Sequence, residues 1–233
     1  MYDELKNICW EHNMMLPKLG LVIYTFGNAS VVDRNNGVFA IKPSGVDYEK
    51  MTPDDIVIVS LEDGKVVDGG LRPSSDTNSH LELYRAFQNV GGIVHTHSTF
   101  ATAWAQTGLP VPIFGTTHAD YLAMDIPCTD FMQDERIKND YETETGRQMT
   151  DWFVRHNVSP DEVQMILVAG HGPFTWGDSI AKAVFNARMI EELCKMAFIT
   201  KSIAPDTPRL KATLIAKHYE RKHGKDAYYG QKS

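Results

Sequence analysis

Short apolar runs separated by tight-turn signals fill the first half of the chain and constrain its fold most strongly. Runs rich in β-branched and aromatic residues occupy positions 21–24, 38–41 and 56–59, with Asn35-Asn36-Gly37 and Asp63-Gly64 as turn signals. Asn-Gly and Asp-Gly pairs favour the two-residue turns of antiparallel hairpins. The second half instead has mainly helical periodicity. The predicted fold class is therefore α/β, with a mixed, largely antiparallel central sheet flanked by helices.

The spacing of apolar side chains predicts the remaining elements. An amphipathic first helix should end before Pro17, because proline lacks the N–H that a helix interior needs. Further strands are expected at 93–94 and 164–168, and further helices at 77–87, about 100–106, 134–156, about 179–201 and in a segment ending near 219. With 233 residues, 42% of them hydrophobic, and no internal repeat or linker, a single domain over 1–233 is expected.

Charge and cysteine content exclude several classes of partner. The formal net charge is -7, so the chain lacks the broad basic face that nucleic acids and anionic membranes require. The start has no basic segment followed by a long apolar run, and no stretch is long enough to cross a bilayer, so a cytoplasmic location is expected. The three cysteines, Cys9, Cys128 and Cys194, are far apart and are expected to be reduced thiols.

Two histidines, His95 and His97, close the apolar strand that begins at Gly92. Alternate residues of a strand project to the same side, so both imidazoles can reach one point. His171 follows the strand at 164–168 and offers a third imidazole, and Asp76 offers a carboxylate. This ligand set suits Zn²⁺, and Mn²⁺ or Fe²⁺ is also compatible with it. The alternatives are surface or internally bonded histidines and an aspartate that only caps the next helix.

Three turns carry small polar residues beside glycine or at a helix start: Gly27-Asn28, Lys42-Pro43-Ser44-Gly45 and Ser74-Ser75-Asp76. Outward-pointing backbone amides in such turns attract anions, and serine hydroxyls and a lysine add donors around a phosphate. Each turn alone is more often an ordinary turn or cap. Beside a metal, they favour a small phosphorylated metabolite as the ligand of an otherwise acidic protein.

Several motifs in one order give the chain a resemblance to a known family. The motifs are Lys42-Pro43-Ser44-Gly45, Ser74-Ser75-Asp76, GGIVHTHS at 91–98, Gly115-Thr116-Thr117-His118-Ala119-Asp120-Tyr121, His171-Gly172-Pro173-Phe174 and Ala227-Tyr228-Tyr229-Gly230-Gln231. Together they resemble the L-ribulose-5-phosphate 4-epimerases of the class II aldolase/epimerase superfamily. The resemblance runs nearly end to end, and the combination is far more specific than any single motif.

The resemblance implies roles for individual residues. Zinc would be held by Asp76, His95, His97 and His171. Substrate would be bound by Gly27, Asn28, Lys42, Ser44, Gly45, Ser74, Ser75, Thr116 and His218, with Glu142 as a further candidate. Asp120 and Tyr229 match the acid/base pair, although which of them serves which epimer stays open. Tyr229 lies in a C-terminal tail that would reach the site of a neighbouring subunit.

The resemblance also implies a reaction and an assembly. The family is typically a cyclic homotetramer with active sites between subunits. Its members are isomerases that interconvert L-ribulose 5-phosphate and D-xylulose 5-phosphate in pentose catabolism, such as that of L-arabinose or L-ascorbate. Because the hydrogen on C4 is not adjacent to the C2 carbonyl, simple deprotonation cannot invert C4. Metal-assisted retro-aldol cleavage and re-formation of the C3–C4 bond can.

Two other functions remain open at this stage. The first is an aldolase acting on L-fuculose 1-phosphate or L-rhamnulose 1-phosphate, which would release its aldehyde. Such aldolases resemble the chain less and carry a glutamate base where Asp76 stands here. The second is a non-catalytic interaction module of the adducin-head type, which predicts that the metal ligands are lost. All four candidate ligands are present, which favours an enzyme.

Overall fold

A seven-stranded antiparallel sheet forms the centre of the computed structural model, which describes residues 2–225 and residue 227. The sheet order is β4-β3-β2-β1-β5-β7-β6. The strands are β1 (Asn28–Asp33), β2 (Val38–Ile41), β3 (Val57–Ser60), β4 (Val66–Asp68), β5 (Gly92–His95), β6 (Met165–Val168) and β7 (Gly172–Gly177). The predicted fold class is confirmed, and so are the two hairpins, β1–β2 and β3–β4.

Helices cover both faces of the sheet. They are α1 (Asp3–Lys18), α2 (Thr77–Ala86), α3 (Thr99–Thr107), α4 (Thr116–Ala119), α5 (Asp134–His156), α6 (Ile180–Ile203) and α7 (Ala212–His223). Successive side chains of β2 point to opposite faces of the sheet, so the core lies on both faces. Phe39 packs in the hydrophobic cluster that contains Tyr84 of α2, whereas Ala40 packs in the cluster that contains Cys9 of α1. None of these helices is long and apolar enough to span a membrane.

Two predictions about the first forty residues are wrong. Positions 21–24 do not form a strand, because Tyr24 adopts a left-handed φ of 52° and its side chain is 84% exposed. The first strand is Asn28–Asp33 instead. The first helix also does not stop before Pro17 but continues through it to Lys18. The helix ends directly after Pro17, where Gly20 and the buried Leu21 donate their N–H groups to the carbonyl oxygens of Pro17 and Leu16.

The sequence patterns also left one central strand unpredicted. Gly172 and Pro173 suggest a turn, yet they begin β7, which pairs with both β5 and β6. Proline is compatible with the beginning of a strand, where one missing N–H costs little. The resulting β6–β7 hairpin places His171 in its turn, at the edge of the sheet where β5 ends.

A buried carboxylate fixes the helix that follows His97. Glu191 of α6 accepts hydrogen bonds from the backbone N–H of Phe100 at 3.0 Å and of Ala101 at 2.9 Å. These are first-turn amides of α3, which have no carbonyl partner within their own helix. Glu191 therefore connects α6 to the segment that carries the two histidines, and it occupies a helix N-terminus that could otherwise attract an anion.

We expect Glu191→Ala to lower the free energy of unfolding by about 2–3 kcal/mol, because it leaves buried amides without their charged acceptor. Urea denaturation monitored by circular dichroism measures the loss. The neighbouring Glu192→Ala is the matched control, since Glu192 pairs with Arg188 at the surface and should contribute about 0.5 kcal/mol. Equal losses in the two variants would contradict this structural role for Glu191.

Candidate functional site

Three imidazoles converge where β5 ends and the β6–β7 turn begins. Their candidate ligand atoms, on His95, His97 and His171, all lie within 4.8 Å of one another. The Nε2 atoms of His95 and His97 are 3.1 Å apart. Two imidazoles bound to one tetrahedral metal at about 2.1 Å place their nitrogens about 3.4 Å apart, so this spacing is close to that of a metal site. The structure thus brings together the three predicted histidine ligands.

The tautomer of His95 fits a metal ligand. Its Nδ1 lies 3.0 Å from the carbonyl oxygen of Pro173, and a carbonyl can only accept a hydrogen bond. Nδ1 therefore carries a proton, and Nε2 is the nitrogen that faces the cluster. Phe174 stacks on the His95 ring at 4.2 Å between centroids and fixes the plane of the ring. This combination of an outer hydrogen bond and a packed ring is typical of metal-binding histidines.

Burial keeps the other imidazoles in the neutral form that binds metals. It lowers the pKa of His171 to about 3, and the positive potential of His95 acts in the same direction, whereas Asp76 opposes it. The pKa of His97 is also lowered, again mainly by burial. A neutral imidazole has a free lone pair at one nitrogen. His97 and His171 can therefore bind a divalent cation such as Zn²⁺ without first losing a proton.

Asp76 stands beside the histidine cluster. Its carboxylate oxygens do not lie within 4.8 Å of all three histidine ligand atoms. The carboxylate accepts a hydrogen bond of 2.7 Å from Asn28 Nδ2 and makes no capping bond, although Asp76 holds the N-cap position of α2. Burial would raise its pKa, but the potentials of His95, His80 and His171 outweigh burial and lower it. Asp76 is thus an ionised neighbour of the three imidazoles.

A pocket of about 370 Å³ opens beside the cluster and contains most of the predicted substrate-binding residues. Its lining includes Gly27, Asn28, Lys42, Ser44, Gly45, Ser74, Ser75, Asp76, His97, Tyr141, Glu142 and His171. Gly27 has a φ of 80°, and a Cβ atom there would lie 3.1 Å from the carbonyl oxygen of His95. Only glycine allows this backbone to approach the strand so closely.

The turns at Ser44-Gly45 and Ser74-Ser75, called the serine turns below, are hydrogen-bonded to each other at the wall of this pocket. The N–H of Ser44 donates to Arg72 O, and the N–H of Ser74 donates to Lys42 O, both at 3.0 Å. Within the described part of the chain, the N–H groups of Gly45 and Ser75 have no acceptor. The hydroxyl-bearing Ser44 and Ser75 are exposed. These amides and hydroxyls are therefore the donors that an anion could use.

The buried side chain of Lys42 stabilises the loop backbone beside the pocket. Its buried ammonium donates to the carbonyl oxygens of Val46 at 2.8 Å, Pro43 at 3.3 Å and Thr25 at 3.4 Å. Burial lowers the pKa of Lys42 to about 8. Its three N–H donors are occupied by carbonyls, so Lys42 contributes positive potential and loop geometry to the pocket.

Asp120, one member of the predicted acid/base pair, lies in a second cluster, between α4 and α7. Asp120 accepts hydrogen bonds from His218 Nδ1 at 2.9 Å and from Arg221 at 2.8 and 3.0 Å. Thr116 lies one turn earlier, and its carbonyl accepts the N–H of Asp120. None of Asp120, Thr116 and His218 lines the pocket beside the histidines within one chain. Tyr229 lies outside the described residues.

Sequence reasoning missed two aromatic residues at the pocket. The ring centroid of Phe26 lies 5.9 Å from that of His97, and Tyr141 places its hydroxyl 3.3 Å from His171 Nδ1. No motif marks Phe26. Tyr141 has a local signal, because Asp140 and Thr143 form a helix-start pattern inside what otherwise reads as one continuous helix.

The chain belongs to the class II aldolase and adducin N-terminal domain family, whose signature matches residues 8–198. Membership of this family identifies the fold. It is consistent with metal-assisted aldol chemistry at the histidine cluster.

Solved structures share the same fold. An L-fuculose 1-phosphate aldolase is 23% identical, with a TM-score of 0.76, and the match covers 94% of this chain and 95% of that chain. YgbL from Escherichia coli, a candidate aldolase/epimerase/decarboxylase, is 22% identical, with a TM-score of 0.73 and coverage of 92% and 97%. L-fuculose 1-phosphate aldolase from Glaciozyma antarctica PI12 is 20% identical, with a TM-score of 0.75 and coverage of 97% and 84%.

Proposed function

We propose that the protein is a metal-dependent L-ribulose-5-phosphate 4-epimerase that interconverts L-ribulose 5-phosphate and D-xylulose 5-phosphate. The observation that carries the proposal is the opening of the three-histidine cluster into the same pocket as the Ser44 and Ser75 turns. A ketopentose phosphate needs both features, because its carbonyl end must meet a cation while its phosphate meets neutral and positive donors. The order of motifs along the chain supports the epimerase among related activities.

The histidine cluster would hold the divalent metal, with Zn²⁺ as the proposed ion and Asp76 as a fourth ligand or close neighbour. When bound, such an ion supplies positive charge that stabilises the negative charge developing on the C2 and C3 oxygens as C3–C4 breaks. The amides and hydroxyls of the serine turns would hold the phosphate of the released fragment. The fragment can then rotate and present its other face without leaving the site.

Proton transfer would be the task of Asp120 and Tyr229. Hydrogen bonds from Arg221 and His218 outweigh burial and lower the pKa of Asp120, so it is a carboxylate at neutral pH and suits the base role. Because Asp120 and the histidines lie in separate clusters of one chain, we propose that a neighbouring subunit of a homotetramer supplies Asp120, and that the C-terminal tail supplies Tyr229.

The test is an assay of purified, metal-loaded protein with L-ribulose 5-phosphate, in which D-xylulose 5-phosphate is measured by a coupled enzyme. We expect interconversion that stops after chelation and returns when Zn²⁺ or Mn²⁺ is added. Full activity after complete metal removal, or no interconversion with any divalent metal, would contradict the proposal.

The second candidate function is aldol cleavage of a sugar phosphate with release of the aldehyde. It is favoured by the match to L-fuculose 1-phosphate aldolases over most of both chains. Asp76 argues against it, because a carboxylate one methylene shorter than glutamate has less reach to protonate the sugar fragment. Stoichiometric release of glycolaldehyde phosphate, or cleavage of L-fuculose 1-phosphate, would favour the aldolase over the epimerase.

A further inference from the structure

Tyr141 makes the only side-chain hydrogen bond to His171 among the residues that the structure describes. Its hydroxyl lies 3.3 Å from His171 Nδ1, and the two ring centroids are 6.0 Å apart. Tyr141 also lines the pocket, beside Glu142. His171 sits in a hairpin turn, where its ring meets the edge of Phe174 at 6.1 Å between centroids, whereas the ring of His95 stacks on Phe174 at 4.2 Å. Ring contacts surround the third imidazole, but Tyr141 is the described side chain that bonds its Nδ1.

A local loss of helical geometry in α5 orients the Tyr141 side chain toward the β6–β7 turn that contains His171. Asp140 has non-helical angles, φ -135° and ψ 83°, in the middle of the helix. Its carboxylate accepts hydrogen bonds from Thr143 Oγ1 at 2.7 Å and from Thr143 N–H at 3.3 Å, as an N-cap residue does. The second part of α5 thus starts at Tyr141. Ser79 Oγ of α2 anchors this start by donating to Glu142 O at 2.6 Å.

We infer that Tyr141 is a positioning residue that fixes the tautomer and ring orientation of His171, so that Nε2 of His171 faces the metal. The inference rests on the proposed function, because it requires a metal at the cluster. If Nε2 is the ligand atom, Nδ1 must carry the proton and donate it to the Tyr141 oxygen. His95 uses the same arrangement, with the Pro173 carbonyl as its acceptor. Both imidazoles would then bind through Nε2, each with its outer nitrogen occupied.

The experiment measures the Zn²⁺ affinity of metal-free protein by competition with a chromophoric chelator. We expect Tyr141→Phe to bind Zn²⁺ about 10- to 100-fold more weakly, because partners of metal-binding histidines typically have effects of this size. The unfolding midpoint of the metal-free protein should hardly change, since the ring remains. Tyr219→Phe is the control, because Tyr219 stacks on His223 and makes no contact with the cluster, and its affinity should equal that of the wild type.

A second pair of variants changes the helix cap at Asp140. It tests how Tyr141 is oriented while leaving Tyr141 itself unchanged. Asparagine caps helices as well as aspartate does, so Asp140→Asn should keep the wild-type affinity, whereas Asp140→Ala should weaken it several-fold. In the zinc-loaded protein, ¹⁵N shifts of His171, assigned by comparison with His171→Gln, should show Nδ1 protonated and Nε2 bound to metal.

The outcomes separate the two proposals. Wild-type protein that fails to bind Zn²⁺ or another divalent metal would overturn the proposed metal function. Wild-type protein that binds Zn²⁺, with Tyr141→Phe of equal affinity or with His171 bound through Nδ1, would overturn the role of Tyr141 alone. Weaker binding by Tyr141→Phe and by Asp140→Ala, together with an Nε2-bound His171, would establish it.

Discussion

His171→Ala is expected to remove bound metal and to lower the rate of epimerisation about a thousandfold or more. The variant leaves two imidazoles of the three that converge within 4.8 Å. With only the Asp76 carboxylate beside them, these two imidazoles form a weaker ligand set that should lose the ion during purification with a chelator, and loss of a Lewis acid removes several kcal/mol of transition-state stabilisation. By transition-state arithmetic, about 4 kcal/mol corresponds to about a thousandfold in rate. Elemental analysis and the coupled assay measure the two effects.

The control for this variant is His12→Ala. Among the residues that the structure describes, His12 bonds only to the Ile8 carbonyl of its own helix, so its loss should alter neither metal content nor rate. The fold should survive His171→Ala, because His171 lies in a turn and is not part of the hydrophobic core. If His171→Ala keeps one metal ion per chain and the wild-type rate, the three-histidine site has no catalytic role.

The sheet could be predicted where local signals were strong and unopposed. Asn35-Asn36-Gly37 and Asp63-Gly64 marked their hairpins because each loop uses a glycine with a positive φ, 65° at Gly37 and 73° at Gly64, although both loops are longer than the expected two-residue turns. The strand predicted at positions 21–24 is absent because a short apolar run can also occur in a loop with one buried anchor. Here Leu21 is buried, while Ile23 and Tyr24 are exposed in a loop. The strand β7 was missed because Gly172-Pro173 gives a turn signal that its tertiary neighbours override.

The histidine cluster could be predicted from the sequence for a simple geometric reason. His95 and His97 lie two apart at a strand end, and His171 follows another strand, so an antiparallel sheet can bring all three to one edge. Asp76 was predicted as the fourth candidate ligand, but local spacing could not give its position relative to the histidines, since that position depends on the bond from Asn28 across 48 residues. Tyr141 was also hidden, because a long charged helical pattern masks the internal cap at Asp140.

Asp120→Asn is expected to lower the rate about 10²- to 10⁴-fold while leaving metal content unchanged, as loss of a general base does. Asparagine cannot take a proton, and Asp120 makes no contact with the three histidines in its own chain. Asp130→Asn is the control, because Asp130 is an exposed partner of Arg155 and should leave the rate unchanged. A wild-type rate in Asp120→Asn would remove this carboxylate from the reaction.

Mixing the two inactive variants then tests whether subunits share the site. His171→Ala retains Asp120, and Asp120→Asn retains the three histidines, so a site at their interface can contain one intact set from each chain. In a cyclic oligomer assembled at random from equal amounts, about one quarter of the interfaces have this composition, and about one quarter of the wild-type activity should return. If Asp120 served the histidines of its own chain, every site would carry a defect and the mixture would stay as inactive as its parents. The α4–α7 cluster is separate from the histidine pocket of its own chain, so we expect the mixture to recover activity.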